Sequence, residues 1–131
     1  MCRTLEPGLT NRIEITVTNE NTAAVMGSGD TAVFATPAMI ALMEKTAASS
    51  VAEFLEEGNT TVGTEISVKH LAATPVGMKV YCISKVESVD GRKLTFSLEA
   101  YDEVGLIGSG THERFVVNRT KFQNKTDSKL K

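Results

Sequence analysis

The chain has 131 residues, of which 41% are hydrophobic, and a formal net charge of -2. This length predicts a single domain whose core is large enough to fold without disulfides or metal ions. The slightly acidic charge, without a basic run interleaved with aromatic residues, gives no reason to expect a nucleic-acid partner.

Cysteine usage and the hydrophobic runs indicate a reducing compartment. Cys2 and Cys82 form neither a disulfide framework nor a CxxC metal motif, and Cys82, inside a strand-like run, is interpreted as a small buried hydrophobe. The N-terminal segment MCRTLEPGLTNR lacks the apolar core of a signal peptide, and no apolar run reaches the about 20 residues that span a bilayer. We therefore expect a cytoplasmic protein without a membrane or metal partner.

The first elements in chain order are short. RIEITV, residues 12–17, alternates polar and apolar residues, which predicts a half-buried strand. TAAVM, residues 22–26, is interpreted as a returning strand that completes a hairpin. GSGD, residues 27–30, is predicted to be a flexible loop before the longest element of the chain.

The stretch from Phe34 to Gly58 predicts a helix of about twenty residues. Thr36 is expected at the N-cap, followed by a proline at the first helical position, and Gly58 is expected to close the helix as a left-handed cap. Apolar residues recur at steps of three or four, which is the period of an amphipathic helix. They are Ile40, Met43, Ala47, Val51 and Leu55.

Glu44 interrupts this apolar stripe. It lies four residues after Ile40 and three before Ala47, with no basic residue three or four positions away on the helix. Burying an unpaired carboxylate costs free energy. Either Glu44 is a solvated residue at the stripe's edge, or a group from elsewhere in the fold requires it.

Four extended runs follow the helix, at residues 60–71, 78–89, 93–103 and 106–118. The pair Asp90-Gly91 between the second and third runs predicts a tight hairpin. One long helix before an antiparallel meander indicates an α+β fold in which the sheet wraps around the helix. The domain is expected to have its core at residues 12–117 and a loose polar tail at 118–131.

Three residues outside the stripe are candidates for chemistry. Strict alternation places His70 at the end of the apolar strand face, on the side that packs against the helix, so that it could meet Glu44. Thr36 stands at the helix start, where the dipole favours negative charge. Gly63, a glycine inside a strand, often marks a close approach of a ligand to the backbone. Each also has an ordinary structural interpretation: a solvated histidine, a helix cap and a weak strand position.

Three segments give the chain a family resemblance. They are VFATPAMIALMEKTA, VGTEISVKHLAATPVGMKV and IGSGTHERFVV, and with the order of elements they cover about residues 12–117. The chain resembles the hotdog-fold thioesterases, and specifically the fluoroacetyl-CoA thioesterase family. The resemblance implies a single hotdog domain, with one central helix and an antiparallel sheet of about five strands, that hydrolyses the thioester of a small acyl-CoA.

The resemblance also implies a set of site residues. Thr36, Glu44 and His70 match the catalytic threonine, glutamate and histidine of the family, with Gly63 offering a backbone N–H to the thioester carbonyl. Arg114 of THERF is placed near the pocket, in a positioning or structural role. Such a site needs an attacking oxygen, a base and an oxyanion donor, and the matched residues supply all three. Either the threonine or a water could attack.

The resemblance has one departure and several open points. The fluoroacetate-specialised member carries a longer, phenylalanine-rich lid before its threonine, whereas this chain has VMGSGDTAVF with Phe34 as its one aromatic residue. Phe34 is counted with the substrate-binding residues, and a broader or different short acyl-CoA is expected. Hotdog domains pair as dimers with the site at the seam, which would place Glu44 at the subunit interface. No cofactor is implied, since coenzyme A belongs to the substrate.

Two other functions stay open at this point. One is a non-catalytic hotdog protein that binds an acyl-CoA or another small ligand, which would have no need of Thr36, Glu44 and His70 together. The other is an enoyl-CoA hydratase, whose different Asp/His arrangement the chain does not carry. His112 has no role that the sequence defines and is interpreted as a strand residue that is solvated or at an interface.

Overall fold

The computed structural model describes residues 4–130, so Cys2 lies outside the described residues. Five strands form one sheet: β1 (Thr10–Thr16), β2 (Asn59–His70), β3 (Lys79–Asp90), β4 (Lys93–Asp102) and β5 (Leu106–Asn118). Three α-helices accompany them: α1 (Ala23–Met26), α2 (Thr36–Val51) and α3 (Arg119–Asp127). Short 3-10 turns lie at Asn19–Asn21, Ala52–Phe54 and Ser128–Leu130.

The sheet is antiparallel and has the order β1-β3-β4-β5-β2. Helix α2 packs on one face of it, mainly against β3 and β1. The fully buried side chains include Met39, Met43 and Val51 of the helix and Val80 and Phe96 of the sheet. Burial of an apolar surface on one face of each element stabilises this arrangement, and the predicted α+β architecture is confirmed.

The helix begins one residue earlier than predicted. Ala35 is the N-cap, with extended backbone and no side-chain cap bond, and Thr36 is the first helical residue. Pro37 lies in the first turn, where its missing N–H has no intrahelical partner to lose. The prediction of Thr36 as the N-cap is therefore wrong, and its hydroxyl is left available for a contact outside the helix.

The helix also ends earlier than predicted. After Val51 the chain tightens into the 3-10 turn Ala52–Phe54, so Leu55 lies outside the helix. Gly58 does adopt the left-handed conformation, with φ of 88°, but in the turn that leads into β2. Its role is to reverse the chain direction after the helix, not to cap it.

The hairpin predicted for the N-terminal segment is wrong. Ala23–Met26 form the short helix α1, because the side chain of the N-cap residue Thr22 accepts a hydrogen bond from the Val25 N–H and Gly27 ends the turn at φ of 78°. Strand β1 pairs with β3 instead. By contrast, the hairpin at Asp90-Gly91 is confirmed, because Asp90 pairs with Lys93 across a two-residue loop.

A bulge in β2 changes which side chains face the helix. Gly63 pairs with Arg114 and Glu65 pairs with Glu113, so no residue of β5 lies opposite Thr64 in the strand register, although the Thr64 hydroxyl donates to the Glu113 carbonyl oxygen at 3.2 Å. One extra residue reverses the alternation from that point onward. Gly63 and His70, which strict alternation assigns to opposite faces, therefore lie on the same face of the sheet.

The C-terminal segment is a helix where a loose tail was predicted. Helix α3 begins after Asn118, whose side chain accepts a hydrogen bond from the Lys121 N–H. Every residue of this helix is exposed. Among the described residues, no helix is long and apolar enough to cross a bilayer.

Candidate active site

The first cluster of the site joins the start of α2 to the end of β2. Thr36 Oγ1 lies 2.7 Å from His70 Nδ1, which is the distance of a strong hydrogen bond. His70 Nε2 is buried and finds no hydrogen-bond partner in the described part of the chain. Burial lowers the pKa of His70 below its usual 6.5, so the ring is neutral at pH 7 and can accept a proton.

A cleft of about 340 Å³ opens beside this pair. Phe34 lies in its wall and is 1% exposed, so it contributes an edge of the core and does not project as a lid. The other lining residues are mostly small: Ala23, Ser28, Gly29, Thr31, Val33, Leu71, Ala72 and Ala73. The cleft therefore offers a small ligand a wall of mostly small side chains beside the hydrogen-bonded side chains of Thr36 and His70.

The second cluster of the site consists of Glu44, Arg114, His112, Thr61 and Gly63, and it contains the ionic partner of Glu44. Arg114 of β5 places its Nη1 atom 3.4 Å from Glu44 Oε2. The Glu44 side chain is 42% exposed in the single chain, whereas that of Arg114 is 9% exposed. Glu44 is thus both partly solvated and paired with a group from elsewhere in the fold, because its carboxylate is partly open to water and has a cationic partner from the sheet.

Several further contacts hold the Arg114 side chain in place. Its Nε donates to Thr61 Oγ1 at 2.8 Å, and its Nη2 donates to the Thr61 carbonyl oxygen at 3.0 Å. Nη1 lies 3.2 Å from His112 Nε2 as well as 3.4 Å from Glu44. Burial lowers the pKa of Arg114 and the Glu44 charge opposes that shift, and the guanidinium stays protonated.

Gly63 leaves the space in which these groups meet. A Cβ atom on Gly63 would stand 2.8 Å from Glu44 Oε2, 3.2 Å from His112 Cε1 and 3.4 Å from Arg114 Nη1. A pocket of about 250 Å³ lies here. Its lining residues are Glu44, Gly63, Thr64, Glu65, Ile66 and His112.

The two clusters are separated within one chain. Thr36 and Glu44 are eight residues apart on the helix, which is about 12 Å along its axis. Gly63 and His70 are seven residues apart on β2, which is about 20 Å. In the described residues, Glu44 makes no hydrogen bond to Thr36 or His70. The meeting of Glu44 with His70 that the sequence suggests is therefore absent from the single chain.

Comparison with known proteins identifies the family. Residues 17–120 match the model of the fluoroacetyl-CoA-specific thioesterases. The fluoroacetyl-CoA thioesterase of Streptantibioticus cattleyicolor is 45% identical over 97 residues, which are 74% of this chain and 70% of that protein. The chain belongs to the fluoroacetyl-CoA-specific thioesterase family. The predicted family and the acyl-CoA thioesterase class of enzyme are thereby confirmed.

Solved structures place the family in the hotdog fold. A fluoroacetyl-CoA thioesterase structure aligns with a TM-score of 0.92 at 35% identity, over 97% of this chain and 98% of the other. Variants of that enzyme with 34% and 36% identity have been solved with acetyl-CoA and with fluoroacetate and CoA. A hot-dog-like protein of Thermanaerovibrio acidaminovorans aligns with a TM-score of 0.87 at 24% identity, over 95% and 93% of the two chains, and shows the fold alone.

The sequence did not reveal two members of the second cluster. His112 is 1% exposed, so its interpretation as a solvated residue is wrong. Thr61, also buried, receives two donors of Arg114. Only the alternation of His112 and Arg114 on β5 indicated that these two residues share a face, and nothing in the sequence pointed to Thr61.

We expect the two histidines to make folding stability depend on pH just below neutrality. Burial lowers the pKa of both His70 and His112 from 6.5, so between those native values and 6.5 the unfolded chain binds more protons. The free energy of unfolding therefore has its full value above about pH 6.5 and decreases as the pH falls below that value. Urea midpoints measured from about pH 7.5 to about pH 5 will show this slope.

A variant with one histidine provides the control for this prediction. The chain has two histidines, so in His70→Gln the urea midpoint should still depend on pH, but less steeply, because only His112 then contributes. A midpoint that stays constant over this range, or rises on acidification, would contradict the assignment of neutral buried rings.

Proposed function

We propose that this chain hydrolyses the thioester of a short acyl-CoA to a free acid and CoA. The hydrogen bond of 2.7 Å between Thr36 and His70 carries the proposal, because it pairs a hydroxyl with a neutral imidazole beside a cleft. The catalytic set is Thr36, Glu44 and His70, with the Gly63 N–H as oxyanion donor. Membership of the fluoroacetyl-CoA-specific thioesterase family supports it.

The chemistry follows from the roles of these groups. With Nδ1 as the acceptor, His70 takes the proton of the attacking oxygen, which belongs either to Thr36 or to a water. The oxygen adds to the thioester carbonyl, and the resulting oxyanion is stabilised by the Gly63 N–H. The carbon–sulfur bond then breaks, and the thiolate of CoA receives a proton from the imidazolium. Glu44 stabilises the imidazolium or orients the water. If water attacks, the free acid forms directly. If Thr36 attacks, the product of this step is an acyl-threonine ester; a water deprotonated by His70 then adds to its carbonyl, the ester bond to Thr36 breaks, and the threonine oxygen takes back the proton as the acid leaves.

A homodimer would bring the two clusters into one site. Strand β2 is at the edge of the sheet, where a second copy can add its own β2 in antiparallel register. A twofold axis between Ile66 and Ser67 would place His70 of one copy opposite Gly63 of the other. Each dimer would then hold two sites, each with Thr36 and His70 from one copy and Glu44 and Gly63 from the other.

The cleft beside Thr36 favours a small acyl group. Its volume is about 340 Å³, which must also admit the end of the pantetheine arm. The preceding segment folds as α1 and a glycine-containing loop, with Phe34 buried below. This arrangement lacks exposed aromatic rings above the cleft in the described residues, so we expect acetyl- and propionyl-CoA to be accepted alongside fluoroacetyl-CoA. We propose two partners for this chain, namely the acyl-CoA substrate and a second copy of the chain.

Release of free thiol from an acyl-CoA panel tests the activity. The panel contains acetyl-, fluoroacetyl-, propionyl- and phenylacetyl-CoA and longer acyl chains, with His70→Ala measured in parallel. We expect turnover of the short members and a fall of kcat by about 10²–10⁴-fold in His70→Ala, which is the usual effect of removing a general base. Binding of acyl-CoA without thiol release, by folded wild-type protein, would overturn this proposal in favour of a binding protein.

A further inference from the structure

His112 is a buried polar residue that the proposed mechanism does not use. It lies on β5, level with Phe96 of β4 and Ile66 of β2, and is 1% exposed. Its ring lies 6.0 Å from that of Phe96. A buried imidazole is costly unless its nitrogens are satisfied, so its hydrogen bonds define what it does.

The hydrogen bonds of His112 determine which nitrogen carries the proton. Nδ1 lies 2.7 Å from the Glu65 carbonyl oxygen, which can only accept, so Nδ1 must be protonated. Nε2 lies 3.2 Å from Arg114 Nη1, and a guanidinium can only donate. Nε2 therefore presents its lone pair, and the ring is neutral.

This lone pair bears directly on the orientation of Arg114. The Nη1 atom carries two hydrogens and has two acceptors within reach, namely His112 Nε2 and Glu44 Oε2. The longer contact is the one to Glu44, at 3.4 Å, and that carboxylate is partly exposed. Loss of the His112 acceptor would leave one buried hydrogen of Nη1 unsatisfied. The guanidinium would stay bonded to Thr61 through Nε and Nη2, and a shift of its Nη1 end toward another acceptor would displace Glu44.

We propose that His112 is a positioning residue. As a neutral acceptor it orients the Arg114 guanidinium, which in turn holds the Glu44 carboxylate over Gly63. The part of this inference that concerns catalysis rests on the proposed thioesterase activity, whereas the hydrogen-bond arrangement does not.

The charges around His112 agree with a neutral ring. Arg114 and Glu44 face it on the helix side, and Glu113 lies next to it in β5. Burial lowers the pKa of His112. The hydrogen bond to the Glu65 carbonyl oxygen and the charges of Glu44 and Glu113 raise it, the positive charge of Arg114 lowers it, and the net shift is downward. Protonation of Nε2 would remove the acceptor and set two cations in contact.

Two substitutions separate the roles of the two ring nitrogens. Asparagine at 112 offers an amide donor near the position of Nδ1 and nothing at the position of Nε2, whereas the longer glutamine can place its oxygen near Nε2. We expect His112→Asn to lower kcat by about tenfold or more with KM little changed, because Glu44 is misplaced. His112→Gln should retain most of the activity. Equal losses in both variants, or losses that follow their Tm values, would overturn the proposal.

Nitrogen NMR of the imidazole gives a readout that does not depend on turnover. Spectra of wild-type protein at pH 7 should show His112 with Nδ1 protonated and Nε2 unprotonated, and Arg114→Lys should shift the Nε2 resonance. A ring protonated at Nε2, or an Nε2 resonance unmoved in Arg114→Lys, would contradict the inference. If wild-type protein hydrolyses no acyl-CoA while these spectra are as expected, the proposed function fails and the His112 arrangement stands.

Discussion

His70→Ala protein mixed with Glu44→Ala protein is expected to recover about a quarter of wild-type thioesterase activity once subunits exchange. Each variant alone should be nearly inactive. The reason is the separation of the two clusters, since Glu44 and Gly63 lie too far from Thr36 and His70 for one chain to build the proposed site. If two copies complete each other's sites, the two defects fall into the same site of a mixed dimer.

The expected fraction follows from the composition of the mixture. Random exchange makes about half of the dimers mixed, and each mixed dimer has one intact site and one site with both substitutions. Two affinity tags allow the mixed dimers to be purified from denatured and refolded mixtures. Thiol release by the purified mixed dimers should then be about half that of wild type.

A pair of substitutions within one cluster provides the matched control. Thr36→Ala and His70→Ala alter residues whose side chains meet in the same chain, at 2.7 Å. Mixing these two proteins should restore nothing, because every site in a mixed dimer retains one defect. Mixed dimers of His70→Ala and Glu44→Ala that are no more active than the two parents would contradict a site shared between subunits.

The elements that follow strong local patterns could be predicted from the sequence. The helix period of Met43, Ala47 and Val51 and the turn at Gly91 describe the core and the hairpin correctly. Local signals failed where competing local structures differ little in energy. Residues 22–26 contain β-formers and helix formers, and the cap at Thr22 together with Gly27 decides in favour of a helical turn.

The arrangement of the site depended on long-range pairing that no local pattern contains. The bulge at Thr64 is defined by the partners of Gly63 and Glu65 on β5, about fifty residues later in the chain. Arg114 meets Glu44 seventy positions away. The sequence indicated that Glu44 needed a partner, because no cation lay on its own helix, but it could not identify which cation the sheet would bring.

The bulge also has a functional consequence for the face that carries the site. Without the extra residue, a β2 strand with His70 directed toward the helix would direct Gly63 away from it. With it, both residues face the same side, so two copies of β2 can present one of each to a shared cleft. The irregularity in the strand is thus a requirement of the proposed site and not a defect in the sheet.

Gly63→Ala is expected to reduce kcat by about 10²-fold while the protein stays folded, because displacement of a catalytic group by about 1 Å has an effect of this size. The added Cβ would stand 2.8 Å from Glu44 Oε2, which is closer than real Cβ contacts allow. That oxygen is the free end of a flexible side chain, so the carboxylate moves and the backbone does not. His112 and Arg114, at 3.2 Å and 3.4 Å, limit the directions in which it can move.

Gly105→Ala provides the control for this substitution, since a Cβ there meets nothing within 4 Å. Its kcat and Tm should differ from those of wild type by no more than an ordinary surface substitution would change them. The Gly63→Ala protein should also show a Tm close to wild type, which separates a displaced Glu44 from a damaged sheet. Undiminished kcat in Gly63→Ala would mean that the position of Glu44 over Gly63 is not used in catalysis. The second cluster would then not be part of the active site.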